Sequence, residues 1–143
     1  GFILLWQKQP ENALVYFRKA LEMTPNNPAV LLNTGVALSL MGEWAEAESI
    51  LKNVAKNTVG DLRAVFALIE NSARAGNMQN AEKYSEKMFT EFDIQTIMHG
   101  FELFSENYRT APMSAEIIIP VVKKTMIRLI GKFDKQTPAT TIE

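Results

Sequence analysis

The sequence predicts an all-α protein, a right-handed α-α superhelix (solenoid) of antiparallel helical hairpins. Three observations carry this. Glycine turns recur 34 residues apart at Gly42 and Gly76, with Lys8 at the equivalent earlier place. Alanines recur on the same spacing at Ala13, Ala47 and Ala81. Between these marks, apolar residues return every three to four positions, which is the helical period.

The chain has 143 residues, enough for one domain with a sizeable core. Its formal net charge of −1 argues against a nucleic-acid surface, which would be basic. It has no cysteine, which removes disulfides, thiol nucleophiles and thiolate metal sites. The apolar runs Phe2–Trp6 and Ile117–Val122 fall far short of the roughly 18 residues that a membrane span needs. Phe2–Trp6 is also too short for a signal peptide and lacks the basic flank. Its opening, Gly-Phe-Ile-Leu-Leu-Trp, reads as a broken helix cut from a longer protein. These features suit either the cytoplasm or the periplasm.

The first unit covers residues 1–27. Gln7–Gln9 is its turn and Pro10 opens a helix, Glu11 to Met23, with Ala13, Phe17, Ala20 and Leu21 on the inner face. Thr24-Pro25-Asn26-Asn27-Pro28 then breaks the chain. The second unit covers 28–61. Asn27 caps a helix from Pro28 to Met41, and proline suits a first position where no N–H is needed. Leu31, Thr34, Gly35 and Leu38 share one face. Gly42 ends the helix, because glycine adopts the left-handed conformation without a Cβ clash. A second helix from Trp44 to Lys56 turns Ala47, Ile50, Leu51 and Val54 inward. Gly35 and Ala47 are small, so the two helices are expected to cross there. The third unit covers 62–92. Asp61 caps a helix to Ala75, Gly76-Asn77 turns, and a helix runs from Met78 to about Glu91.

Residues 93–132 are read as C-terminal helices. Asp93 or Thr96 starts one through Asn107, with Ile97, Phe101 and Phe104 on one face. A loop at 108–112 leads to a helix from Ser114 to Lys132. An interior proline costs about 3 kcal/mol, so this helix is expected to kink at Pro120. Its apolar side is assigned to Ile117, Val121, Met126 and Ile130. Lys123, Lys124, Arg128 and Lys132 form a basic stripe, read as its solvated face. Ala115 stands 34 residues after Ala81, so the segment is either a decayed fourth repeat or a cap. Residues 133–143 are expected to be a mobile tail.

The 34-residue register resembles the tetratricopeptide repeat, whose period it shares. The first unit carries Ala13-x3-Phe17, then Ala20 and Pro25. The second carries Leu31-x2-Thr34-Gly35-x2-Leu38, then Ala47-x3-Leu51. The third carries Val65-x2-Leu68-Ile69-x2-Ser72 and Ala81-x3-Ser85, and departs most: Ile69 replaces the small residue and no proline closes it. The resemblance covers Gly1 to about Phe92.

In that family the first helix of each pair lines a concave groove. Carried over, the groove receives Phe2, Leu5, Trp6, Leu32, Asn33, Val36, Leu40, Arg63, Phe66, Ala67, Glu70 and Arg74. Some members hold a peptide's C-terminal carboxylate with Lys, Asn and Arg. Asn33 and Arg63 match such positions, whereas Phe2 and Ala67 do not, so the groove reads as apolar with a small polar patch. An apolar patch of this size is more than soluble monomers usually expose. The fillers available are the segment Ile117–Ile130 or a second copy docking through Gly1–Trp6, and the homodimer is the favoured one.

Candidates for catalysis are poor. His99 is the sole histidine and reads as a partly exposed helix residue. The serines lack a nucleophile elbow, no Gly-rich phosphate loop is present, and Glu43, Glu46 and Glu48 read as favourable charge at a helix N-terminus. No enzymatic activity, cofactor or metal is expected. The resemblance implies a module that binds a protein or peptide partner, part of a larger bacterial assembly or scaffold protein. Its rivals are a structural or oligomerisation piece, and the soluble tail of a membrane glycosyltransferase or polymerase.

Overall fold

Helix boundaries fall where proline, asparagine and glycine dictate. The computed structural model describes residues 9–107 and 112–136, leaving aside the side chains of 107, 112–115 and 133–136. Among these residues it has seven helices and no strand. They are α1 (Pro10–Met23), α2 (Pro28–Leu40), α3 (Trp44–Asn57), α4 (Arg63–Arg74), α5 (Met78–Glu91), α6 (Ile94–Asn107) and α7 (Pro112–Gln136).

Asn27 caps α2 through its Oδ1, which accepts from the N–H groups of Ala29 and Val30 at 3.0 and 3.3 Å. Asn77 caps α5, accepting from the Asn80 N–H at 3.1 Å. Asp93 caps α6 in the same way, accepting from Thr96 at 2.7 Å. Gly42 and Gly76 have φ of +84° and +83°, values that L side chains adopt at a steric cost. Each closes the same motif: the next residue's N–H reaches back to the carbonyl of Leu38 or Ser72, both at 2.9 Å. The 34-residue sequence period is therefore a period of turn geometry.

Helices α2–α3 and α4–α5 are hairpins, and α1 packs on α2. The centre is α4, which packs against α2, α3, α5, α6 and α7. All residues from Phe66 to Ser72 are buried, and so are all from Thr34 to Ser39 in α2. α2 is accordingly apolar nearly all round, whereas α4 buries Glu70, Asn71 and Ser72 among its apolar residues. Some of their polar groups are tied internally, as where Thr34 Oγ1 donates to the Val30 carbonyl at 2.7 Å, while Ser39 Oγ and Asn71 Oδ1 have no partner among the described residues. Asn71 Nδ2 donates to the Trp44 carbonyl at 3.0 Å, joining α4 to the start of α3.

The crossing of α2 and α3 differs from the expected one. Gly35 faces Leu51, not Ala47: a Cβ added at Gly35 would lie 2.6 Å from Leu51 Cδ2. Ala47, fully buried, packs with Leu14 and Leu38. The small residue on one helix thus accepts a large one from the other, which interdigitates better than two small residues would.

The C-terminal helices differ too. α7 contains Pro120 within one helix, as expected, but it starts at Pro112 and runs on to Gln136 into the expected tail; residues 137–143 lie outside the described ones. Its main neighbours are α4 and α5 rather than α6. It buries Ile118, Val121 and Thr125, while Met126 and Ile130 from the expected apolar side are exposed. Three ion-pair contacts go with this rotation: Lys124 reaches Glu82 at 3.2 Å, and Arg128 reaches Glu86 and, at 3.8 Å, Glu82. All four residues of the basic stripe are exposed, as expected, and two of them, Lys124 and Arg128, also pair with acids of α5.

Candidate functional site

The first helices of the successive pairs, α2 and α4, with α6 beside α4, bring the expected groove residues together. Leu32, Val36, Phe66, Ala67 and Glu70 are buried, and Asn33, Leu40, Arg63 and Arg74 are half-buried. Phe2, Leu5 and Trp6 lie outside the described residues.

Phe66 is buried because α6 covers it. Its ring meets Phe101 edge-on at 5.3 Å between centroids and Phe104 at 6.0 Å. Such aromatic contacts add to the burial itself. Gly100 allows the close approach, since a Cβ there would stand 2.8 Å from Leu62 Cβ. The α4 stretch of the groove is therefore occupied by this chain's own aromatic side chains.

The basic candidates are neutralised locally. Arg63 is held by Asp61 two residues earlier, with Nη2 donating to Oδ2 at 2.5 Å and Nε to Oδ1 at 2.9 Å. The hydrogen bond from Arg63 holds the Asp61 carboxyl below the usual carboxylate range. Arg74 donates from Nε to Glu70 Oε2 at 2.6 Å, and the Glu70 side chain is only 7% exposed. Separating such a pair would leave a buried carboxylate uncompensated. Both guanidiniums already have a carboxylate partner, so a peptide carboxylate would share an arginine whose charge is offset.

Two of the three glutamates at the start of α3, Glu46 and Glu48, also do more than favour a helix end. Glu46 accepts from Arg18 at 2.9 Å and ties α3 to α1. Glu48 Oε2 accepts from Asn80 Nδ2 and from the Tyr84 hydroxyl, both at 2.7 Å, tying α3 to α5. The Tyr84 hydrogen bond, ahead of that from Asn80, keeps the Glu48 carboxyl below its ordinary pKa. Burial, then the Glu48 carboxylate, push the Tyr84 phenol up. The signal for this contact was in the sequence: Asn80 and Tyr84 stand 32 and 36 residues after Glu48, either side of the period, on the equivalent helix of the next unit.

Among the described residues, no three His, Cys, Asp or Glu side chains come together as a metal site would need. No described helix is long and apolar enough to cross a membrane.

Residues 4–71 match a family model described as a tetratricopeptide repeat. No curated protein and no solved structure shows a match.

Proposed function

Because the chain is a tetratricopeptide repeat protein over residues 4–71, and such repeats generally mediate contacts between proteins, we propose that it is a non-enzymatic binding module within a larger assembly or scaffold. The observation that supports this most is the position of the half-buried residues. Asn33 and Leu40 lie on α2, a first helix, within the stretch that matches the family. The partner segment lies along α2; Phe2, Leu5 and Trp6, assigned to the same groove from the sequence, lie outside the described residues. The repeats wind right-handedly, and α6 and α7 end the array as a cap. A photo-cross-linker placed at Asn33 or Leu40 should capture one partner protein in cells, and the same group at exposed Lys83 should not. Equal capture from all three positions, or none from the groove, refutes this.

A structural role is the second reading, favoured by the way Phe101 and Phe104 already occupy the α4 face. In it, a second copy docks through residues 1–6 and fills what remains of the groove. Light scattering of the chain with and without Trp6→Glu tests this. A monomer at high concentration in the unsubstituted chain would eliminate it.

A further inference from the structure

A cleft of about 450 Å³ opens between the C-terminal halves of α3 and α5, and no residue of α2 or α6 lines it. It is thus separate from the first-helix groove. Its floor is apolar. Leu62, Leu68 and Met88 are buried beneath it, with Val65 and Phe92 half-buried beside them. Its rim is basic: Lys52, Lys56 and Lys87 line it and are exposed.

The rim's charge is largely unspent. Of the two carboxylates lining the cleft, Asp61 is taken up by Arg63, and Glu91 reaches Lys87 only at 3.9 Å. Lys52 and Lys56 form no ion pair among the described residues. Glu48, one turn before Lys52, accepts from Asn80 and Tyr84 and is also stabilised by the Lys52 charge, so Lys52 is partly offset whereas Lys56 is not. A chain of net charge −1 therefore carries a locally positive rim around an apolar floor.

We propose that this cleft binds an acidic amphipathic peptide segment of a partner protein. One or two bulky apolar side chains enter between Val65, Met88 and Phe92, and flanking Asp or Glu side chains meet Lys52, Lys56 and Lys87. The size fits. Lining residues on α5 run from Tyr84 to Phe92, a rise of about 12 Å, which matches about four extended residues. The chain's net charge of −1 and the small, apolar floor disfavour nucleic acid. This site is independent of the α2 groove, so a failure of either leaves the other standing.

The test is fluorescence anisotropy of the full chain with a fluorescein-labelled peptide, Glu-Glu-Leu-Phe-Glu-Glu. Binding is expected to weaken about tenfold or more in the triple variant Lys52→Glu, Lys56→Glu, Lys87→Glu, and to weaken as salt rises. It should persist in Lys83→Glu, which changes the same charge on α5 outside the cleft. On the unsubstituted chain, a peptide with Gln for Glu and one with Ser-Ser for Leu-Phe should both bind more weakly. Equal binding of either altered peptide overturns the proposal. So does equal loss in Lys83→Glu, or saturable binding of decanoate with none of the peptide.

Discussion

Replacing Gly35 by alanine adds one methyl group where α2 meets α3. The new Cβ would stand 2.6 Å from Leu51 Cδ2 and 2.7 Å from Leu51 Cγ. Both distances are well inside van der Waals contact, and Leu51 is fully buried, so it has no solvent to rotate into. Overpacking of this kind costs about 1–3 kcal/mol. Against it stands the helical preference of alanine over glycine, about 1 kcal/mol in a helix interior. The clash should win, leaving Gly35→Ala destabilised by about 1 kcal/mol, with an upper bound near 2. The decisive measurement is a double-mutant cycle by urea denaturation. Leu51→Ala alone should cost about 2–5 kcal/mol for the cavity. In that background the clash is gone, so Gly35→Ala should become neutral or stabilising. The sign of its effect therefore inverts with residue 51. A Gly35→Ala substitution that stabilises the unsubstituted chain, or an effect of the same size in both backgrounds, would show that the helices do not meet there.

Gly100→Ala should destabilise by about 1–3 kcal/mol, because the obstructing atom is Leu62 Cβ, which no side-chain rotation can move; an unchanged melting temperature would contradict the α6–α4 contact. Tyr84→Phe removes the first donor to Glu48 and should raise that carboxyl's pKa, read from its NMR titration. Since the folded value lies below the ordinary 4.5, Glu48 contributes stability above that pH and loses it as pH falls through the folded value. The variant should therefore lose about 1 kcal/mol at neutral pH and little in acid. Ile118→Ala should cost about 2–5 kcal/mol, whereas Arg128→Ala, at an exposed ion pair, should cost no more than about 1. Chemical denaturation that ranked them the other way would mean that charge rather than burial holds α7.

Turns and helix ends were legible in the sequence because their causes are local. A proline at a first helical position, an asparagine that can accept its own helix's N–H groups, and glycines with φ near +84° act within a few residues. With the glycine turns repeated 34 residues apart at Gly42 and Gly76, they determined the hairpins and the all-α class. Ala13, Ala47 and Ala81 were equally readable as buried marks, and all three are buried.

The rest was decided by contacts between distant residues. Periodicity reports which side of a helix is apolar only when another side is polar, and α2 is apolar and buried nearly all round. Nothing local distinguishes a Phe66 facing a partner from one facing Phe101, 35 residues on. The same holds for α7, where Ile117, Ile118 and Ile119 are equally apolar. Only the α5 acids at Glu82 and Glu86 and the floor offered by α4 and α5 select Ile118, Val121 and Thr125 for burial. The 34-residue code thus sets where each helix starts and stops, while the direction each apolar residue faces depends on which neighbour arrives to cover it.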